Sequence, residues 1–223
     1  MNTILNIDTS SAKAFICIVV DGVCVHTVSN DNQKDHAAFL HTAIQDAFGL
    51  LSLNISDLDA IAVNAGPGSY TGLRVGMASA KGLCFALNKP FITVNSLEVI
   101  ATAVATEMEE NAGMLICPMI DARRMEVFTA LYSTNLEQLE APHSLILDAS
   151  SFGHYLDKQH VIFCGDGANK FLNLISHPNA SIKNPLSLQS AFCKIAYQNY
   201  LDRDFTNLAY SEPFYLKDFH DNR

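Results

Sequence analysis

Residues 66–76 read Gly66-Pro67-Gly68-Ser69-Tyr70-Thr71-Gly72-Leu73-Arg74-Val75-Gly76. The stretch follows an apolar segment at 59–64 (Asp-Ala-Ile-Ala-Val-Asn) that reads as a strand, and it opens a helix over about 71–88. A glycine-rich turn between strand and helix is where phosphate-binding loops occur, because the first helical N–H groups point at the ligand. Both common phosphate patterns fail here. A Walker loop needs Gly-Lys-Ser/Thr four residues after its first glycine, and no lysine stands at that spacing. A dinucleotide fingerprint has two residues before its last glycine, whereas three precede Gly72. It also needs an acidic residue after the next strand, where this chain has Asn95.

The helix that follows carries only Arg74 and Lys81 as charges between Thr71 and Asn88. Gly72, Gly76 and Ala80 form a small-residue stripe at helical spacing, suited to close approach of a second helix. Leu73, Met77, Cys84 and Leu87 line another face. A helix apolar nearly all round is buried nearly all round. Its cover is either a partner or another part of the same chain. Together with Leu40 and Ile44 of a helix running from about Lys34 to Leu51, residues Gly72, Leu73, Gly76, Met77 and Ala80 are therefore read as a partner interface.

Outward from this segment the first half reads as strands at 2–8, 14–20 and 23–28, with Asp21-Gly22 as a hairpin turn. The helix at 34–51, the strand at 59–64, the helix at 71–88 and a strand at 91–94 follow. A further helix, capped by Ser96, reaches Glu110. An antiparallel hairpin joined to parallel crossover units gives an α/β fold of mixed sheets flanked by helices. At Gly113 the pattern restarts. Strands are expected at 114–120, 125–132, 144–147 and 161–164, with helices near 149–156 and 187–201. The strand-Asp-turn-strand of residues 2–20 recurs around Asp121. An internal duplication is expected, with one lobe at residues 1–110 and a smaller one at 111–223.

The 223 residues carry a net charge of −9, and such an acidic chain makes poor contact with a phosphate backbone on its own. Six cysteines, none in a Cys-x-x-Cys pair, suit a reducing compartment. No leader precedes the first strand, and no apolar run nears the ~20 residues of a membrane helix. A cytoplasmic protein is expected.

The segment 66–76 closely resembles the signature of the TsaB (YeaZ) family. Ile7-Asp8-Thr9-Ser10, Asp121-Ala122-Arg123-Arg124 and Glu212-Pro213-Phe214-Tyr215-Leu216-Lys217 support the resemblance over essentially the whole chain. It implies the duplicated two-lobed fold of actin, sugar kinases and Hsp70 (the ASKHA fold), with the second lobe reduced. It implies association with the catalytic homologue TsaD, as a heterodimer, and with the ATPase TsaE. Together these transfer threonylcarbamoyl from its adenylate to N6 of the adenosine next to the tRNA anticodon, and tRNA is reached indirectly through the complex. The role implied for this chain is a non-catalytic scaffold.

In the wider superfamily the first strand of each lobe ends in an aspartate near the nucleotide phosphates. Asp8, with Thr9 and Ser10, and Asp121 occupy those places. Gly165-Asp166-Gly167 resembles the loop that holds the adenosine part. These residues are read as a vestigial nucleotide site, because Arg123 and Arg124 stand where a phosphate turn wants glycine. An adenine nucleotide at a subunit interface stays open, as do contacts of Lys81, Arg123 or Arg124 with tRNA. No metal site is expected. His36 and His41 lie ~140° apart around a helix, and no His-x-x-x-His or His-Glu-x-x-His occurs. Two alternatives stand beside the scaffold: an ATP-binding kinase or ATPase using Asp8, and a self-associating protein whose helical patch pairs with a second copy.

Overall fold

The computed structural model describes residues 1–32, 35–108 and 113–217. Lys34, Glu110 and the boundary expected at residues 110–111 lie outside the described residues.

The first sheet is built from β1 (Thr3–Asp8), β2 (Ala14–Val20), β3 (Val23–Asn30), β4 (Ala60–Gly66) and β5 (Phe91–Asn95), in the order β3-β2-β1-β4-β5. β1 pairs antiparallel with β2, and β2 with β3, while β1–β4 and β4–β5 are parallel. The β2–β3 turn has positive φ at both Asp21 (47°) and Gly22 (82°), the hairpin geometry that this dipeptide tolerates. Two helices, α1 (His36–Leu51) and α2 (Tyr70–Leu87), cross one face. Leu5, Ile7, Ile16, Ile18, Ile61 and Val63 meet Leu40, Ile44, Phe48, Met77 and Ala80 there in one apolar core.

The second sheet repeats the plan. β6 (Leu115–Asp121), β7 (Glu126–Ser133), β8 (Gln138–Ile146), β9 (Val161–Cys164) and β10 (Ala180–Lys183) lie in the order β10-β9-β6-β7-β8. Pairings are antiparallel for β6–β7–β8 and parallel for β6–β9–β10, matching the first sheet strand for strand. Two short helices, α4 (Gly153–Leu156) and α5 (Ala168–Leu172), flank it. This is the internal duplication read from the sequence. β8 is longer than the expected 144–147 because an exposed edge strand accommodates Pro142 and polar residues. α5 and β10 are too short, and β10 too evenly half-buried, to leave a periodic signal.

The chain forms two compact units that are not contiguous halves. Among the described residues, one comprises Met1–Ser96 and Gln189–Phe214, the other those from Leu97 to Leu188 and from Tyr215 onward. Hence α3 (Ser96–Thr106), which follows the last strand of the first sheet, packs in the second unit, where Leu97, Ile100 and Val104 meet Ile116, Ile162 and Cys164. The last helix, α6 (Leu188–Leu201), returns to the first, where Phe192 sits edge-on to Phe15 at 6.1 Å. Ser96, expected as a cap, is the first residue of α3, and its hydroxyl donates to Asn64 Oδ1 at 2.6 Å. Beyond α6 the tail stays with the first unit as far as Phe214, whose N–H donates to Ala65 O at 2.7 Å. No helix among the described residues is long and apolar enough to cross a membrane.

Candidate functional site

Asp8 ends β1 and is buried. Its Oδ1 accepts from the Ser10 N–H at 2.8 Å and the Ser10 hydroxyl at 2.7 Å, and its Oδ2 accepts from Asn64 Nδ2 at 2.8 Å. Burial raises the Asp8 pKa above the usual carboxylate range, against the opposing pull of the Ser10 and Asn64 hydrogen bonds and the nearby His36. The Thr9 hydroxyl donates to Gly72 O at 2.7 Å. Thus the Thr9 hydroxyl and both Ser10 donors of this turn point inward.

The glycines of 66–76 press on the same turn. A Cβ on Gly72 would lie 1.9 Å from Thr9 O, one on Gly68 2.4 Å from Ser10 O, and one on Gly76 2.4 Å from Thr9 Oγ1. The Ser69 N–H donates to Ser10 O at 2.6 Å. The start of α2 therefore lies directly on the β1–β2 turn, with backbone against backbone and no space for a side chain between them. The small-residue stripe, expected to admit a second helix, admits this turn instead.

Leu40, Ile44, Gly72, Leu73, Gly76, Met77 and Ala80 are all buried within the first unit, so they hold α1 and α2 to their own sheet rather than offering side chains to a partner. Helical periodicity locates an apolar face but not what covers it, and the sheet is sufficient cover here. The outer face of α2 shows Thr71, Arg74, Ala78, Gly82, Phe85 and Ala86, with Phe85 82% exposed. A groove bordered by His41, Gln45, Leu53 and Leu83 opens beside it. Lys81 Nζ donates to Ser211 O at 2.9 Å, which ties α2 to the tail, and the Arg74 guanidinium lies 3.9 Å over the Tyr70 ring.

In the second unit Asp121 ends β6. Its Oδ1 accepts from Lys170 Nζ at 2.6 Å and from the Arg123 N–H at 2.6 Å, and its own N–H donates to Asp166 Oδ1 at 2.9 Å. Partial burial pushes the Asp121 pKa up, but the Lys170 ammonium and the Arg123 amide outweigh it and hold the carboxyl below the usual range. Arg123 and Arg124 adopt φ of 71° and 51°, so the turn keeps a glycine-like backbone without glycine. Gly165 and Gly167 repeat the motif of the first unit. A Cβ on Gly165 would lie 2.4 Å from Met119 O, and one on Gly167 3.0 Å from the Ile120 carbonyl carbon. The residues read as a vestigial nucleotide site thus gather at two places, the ends of β1 and β6, one in each unit.

His36 is buried, with Nε2 3.1 Å from Ser11 O and Nδ1 without a hydrogen-bond partner. His41 is exposed and faces Ser79 at 3.3 Å. Among the described residues one metal-capable cluster occurs, Cys17, Cys24 and Cys193. No motif spacing points to it, since two members lie on a hairpin and the third on a helix far along the chain.

Paired five-stranded mixed sheets of identical order, each with helices about it, define a protein of the actin and sugar-kinase class. A candidate N-acetylmannosamine kinase from Listeria monocytogenes superposes with a TM-score of 0.54 at 10% identity, over 91% of this chain and 99% of that one. YeaZ from Pseudomonas aeruginosa superposes with a TM-score of 0.81 at 23% identity, over 97% of this chain and all of that one. The chain belongs to the TsaB branch of the family described as "TsaD: tRNA N6-adenosine threonylcarbamoyltransferase", whose model matches residues 25–184. The tRNA threonylcarbamoyladenosine biosynthesis protein TsaB of Bacillus subtilis is 33% identical over 148 residues, 65% of this chain. The chain spans between 52% and 62% of the length of the curated TsaB relatives it matches.

Proposed function

We propose that the chain is a non-catalytic accessory subunit in the formation of threonylcarbamoyladenosine in tRNA, working in the cytoplasm. It holds a TsaD homologue in its active arrangement and helps to dock the TsaE ATPase, and tRNA is met through the complex. The observation that carries this reading is the closure of the β1–β2 turn. Ser10 and Thr9 donate inward, and α2 occupies the ground beside them. A kinase or ATPase of this fold needs free donors at such a turn to hold a phosphate.

The partner surface is the outer face of α1 and α2, centred on Phe85 and the groove beside Leu83. Small residues around a large exposed aromatic ring allow close approach, and such rings often dominate the energetics of an interface. In the absence of TsaD the same patch pairs with a second copy, since an isologous patch is self-complementary.

Coexpression with the TsaD homologue, followed by gel filtration and a transfer assay with TsaE and tRNA, tests both parts. Phe85→Asp is expected to weaken the complex by at least about 2 kcal/mol, about 30-fold in Kd, with its urea midpoint unchanged. Wild-type strength in that variant removes the interface. Transfer that proceeds equally well without this chain removes the function. Tight magnesium-ATP binding by calorimetry, abolished in Asp8→Asn, supports an enzyme instead.

A further inference from the structure

We infer that Cys17, Cys24 and Cys193 form a binding site for a thiophilic metal ion of the Zn(II) or Cu(I) kind. Their three sulfur atoms all lie within 4.8 Å of one another. A tetrahedral Zn–S distance of ~2.3 Å sets the sulfurs ~3.8 Å apart, so closing by no more than about 1 Å brings the three onto one ion. Thiolates are the ligands that select these two metals over harder ones.

The backbone is arranged to bring the sulfurs together. Cys17 pairs with Thr27 across β2 and β3, so regular alternation would put residue 25 beside it and turn residue 24 to the other face. A bulge intervenes, since Ile18 pairs with His26 but Val19 with Cys24. The extra residue re-aims Cys24 onto the face of Cys17, as bulges do beside functional sites. Cys24 Sγ and Cys17 Sγ then both reach Thr27 Oγ1, at 3.2 and 3.4 Å. From above, α6 supplies Cys193, held over the same face by the Phe15–Phe192 contact.

Cys17 and Cys193 are buried, whereas Cys24 is exposed on an edge strand, so an ion has an entry path. Ordinary burial of small apolar side chains explains the first two thiols and not the third. Asn6 adds a polar group. Its Nδ2 lies 3.6 Å from Cys193 Sγ, and its Oδ1 is buried without a hydrogen-bond partner. A half-turn of the amide exchanges these atoms and offers an oxygen to a fourth coordination position, which Zn(II) requires and Cu(I) does not. Binding releases the thiol protons to solvent, because the thiolate is the ligand.

The test uses the full chain, reduced with a phosphine under argon and desalted. Zn(II) is titrated against a chromophoric chelator and Cu(I) against bicinchoninate, with Cd(II) as a spectroscopic probe. One equivalent per chain is expected, with a thiolate-to-metal charge-transfer band for Cd(II), and the tighter of the two competitions names the ion. Cys24→Ser, at an exposed position, should weaken binding at least about tenfold, the lower end of what losing even a supporting group costs a metal site. Cys164→Ala, in the other unit, should leave it unchanged. Saturation with the ion should raise the unfolding temperature of the wild type and not of Cys24→Ser. Equal binding by wild type and Cys24→Ser overturns the inference. So does a disulfide among the three that forms in air in a chain that retains no metal, which would make the cluster an oxidation site.

Discussion

At the scale of single residues, two glycines of one helix should respond oppositely to the same change. A methyl group on Gly72 meets the Thr9 carbonyl at 1.9 Å, a backbone atom that moves only with the turn. Gly72→Ala is expected to cost about 3 kcal/mol or more, the upper range for overpacking. Gly82, with nothing within 4 Å of its would-be Cβ, lies in the exposed interior of α2. Gly82→Ala should stabilise by about 0.5–1 kcal/mol, and urea unfolding of the pair reads both. Asp8 gives a pH signature. Its folded pKa is raised above the ordinary 3.8, so its contribution to stability is fully present below that value and is lost as pH rises through the folded pKa. In Asp8→Asn this part of the pH dependence disappears. The new amide must set a donor against either Asn64 Nδ2 or the Ser10 donors, which costs about 1–3 kcal/mol. Unfolding curves from acid to neutral pH separate these effects. The sequence marked Asp8 and the glycines as special, because acid at a strand end and repeated glycines are rare patterns. It did not show that the two sets touch, since residues 9 and 72 meet only through the parallel pairing of β1 with β4.

At the scale of elements, the strands and long helices of the first sheet were legible to within two residues, because alternation and helical stripes were strong there. What α2 faces was not legible. Periodicity gives the angle of an apolar stripe and says nothing of which neighbour fills it. Hence the seven residues read as a contact surface belong to the core, and the outward face carries Phe85 instead. The turn after β6 carries Arg123 and Arg124 where the sequence pattern leads one to expect glycine. The structure adds that Arg123 and Arg124 still take up the left-handed backbone. Left-handed φ costs a non-glycine residue about 1–2 kcal/mol, and glycine in its place gives back part of that in chain entropy. Arg124→Gly should therefore raise stability by a net ~0.5–1 kcal/mol, visible as a higher urea midpoint with unchanged slope. A lower midpoint shows that the arginine side chain contributes more than its backbone costs.

At the scale of the whole molecule, the duplication could be read from two strand-Asp-turn-strand openings, whereas the exchange of α3 and α6 could not. Both helices look like ordinary neighbours of the strands beside them in sequence. Only the cores reveal that each packs in the other unit. Thiols report this directly, since Cys84 and Cys193 lie in the first unit and Cys117 and Cys164 in the second. Burial pushes the pKa of both Cys84 and Cys117 up to about 12, so they are inert until their surroundings open. Pulsed thiol labelling of the metal-free chain through a urea titration should modify Cys193 together with Cys84, even though Cys164 is nearer in sequence. Labelling of Cys193 in step with Cys164 contradicts the assignment of α6. The return of α6 also orders events on the ribosome. All five strands of the first sheet are made by residue 95, yet the helix that covers Phe15 is complete only at residue 201. At about 5–20 residues per second that face waits some ~5–20 s for its cover. Of the two sheets, the one translated earlier is thus finished later, and it is most open to chaperones, and to wrong partners, while the other is being made.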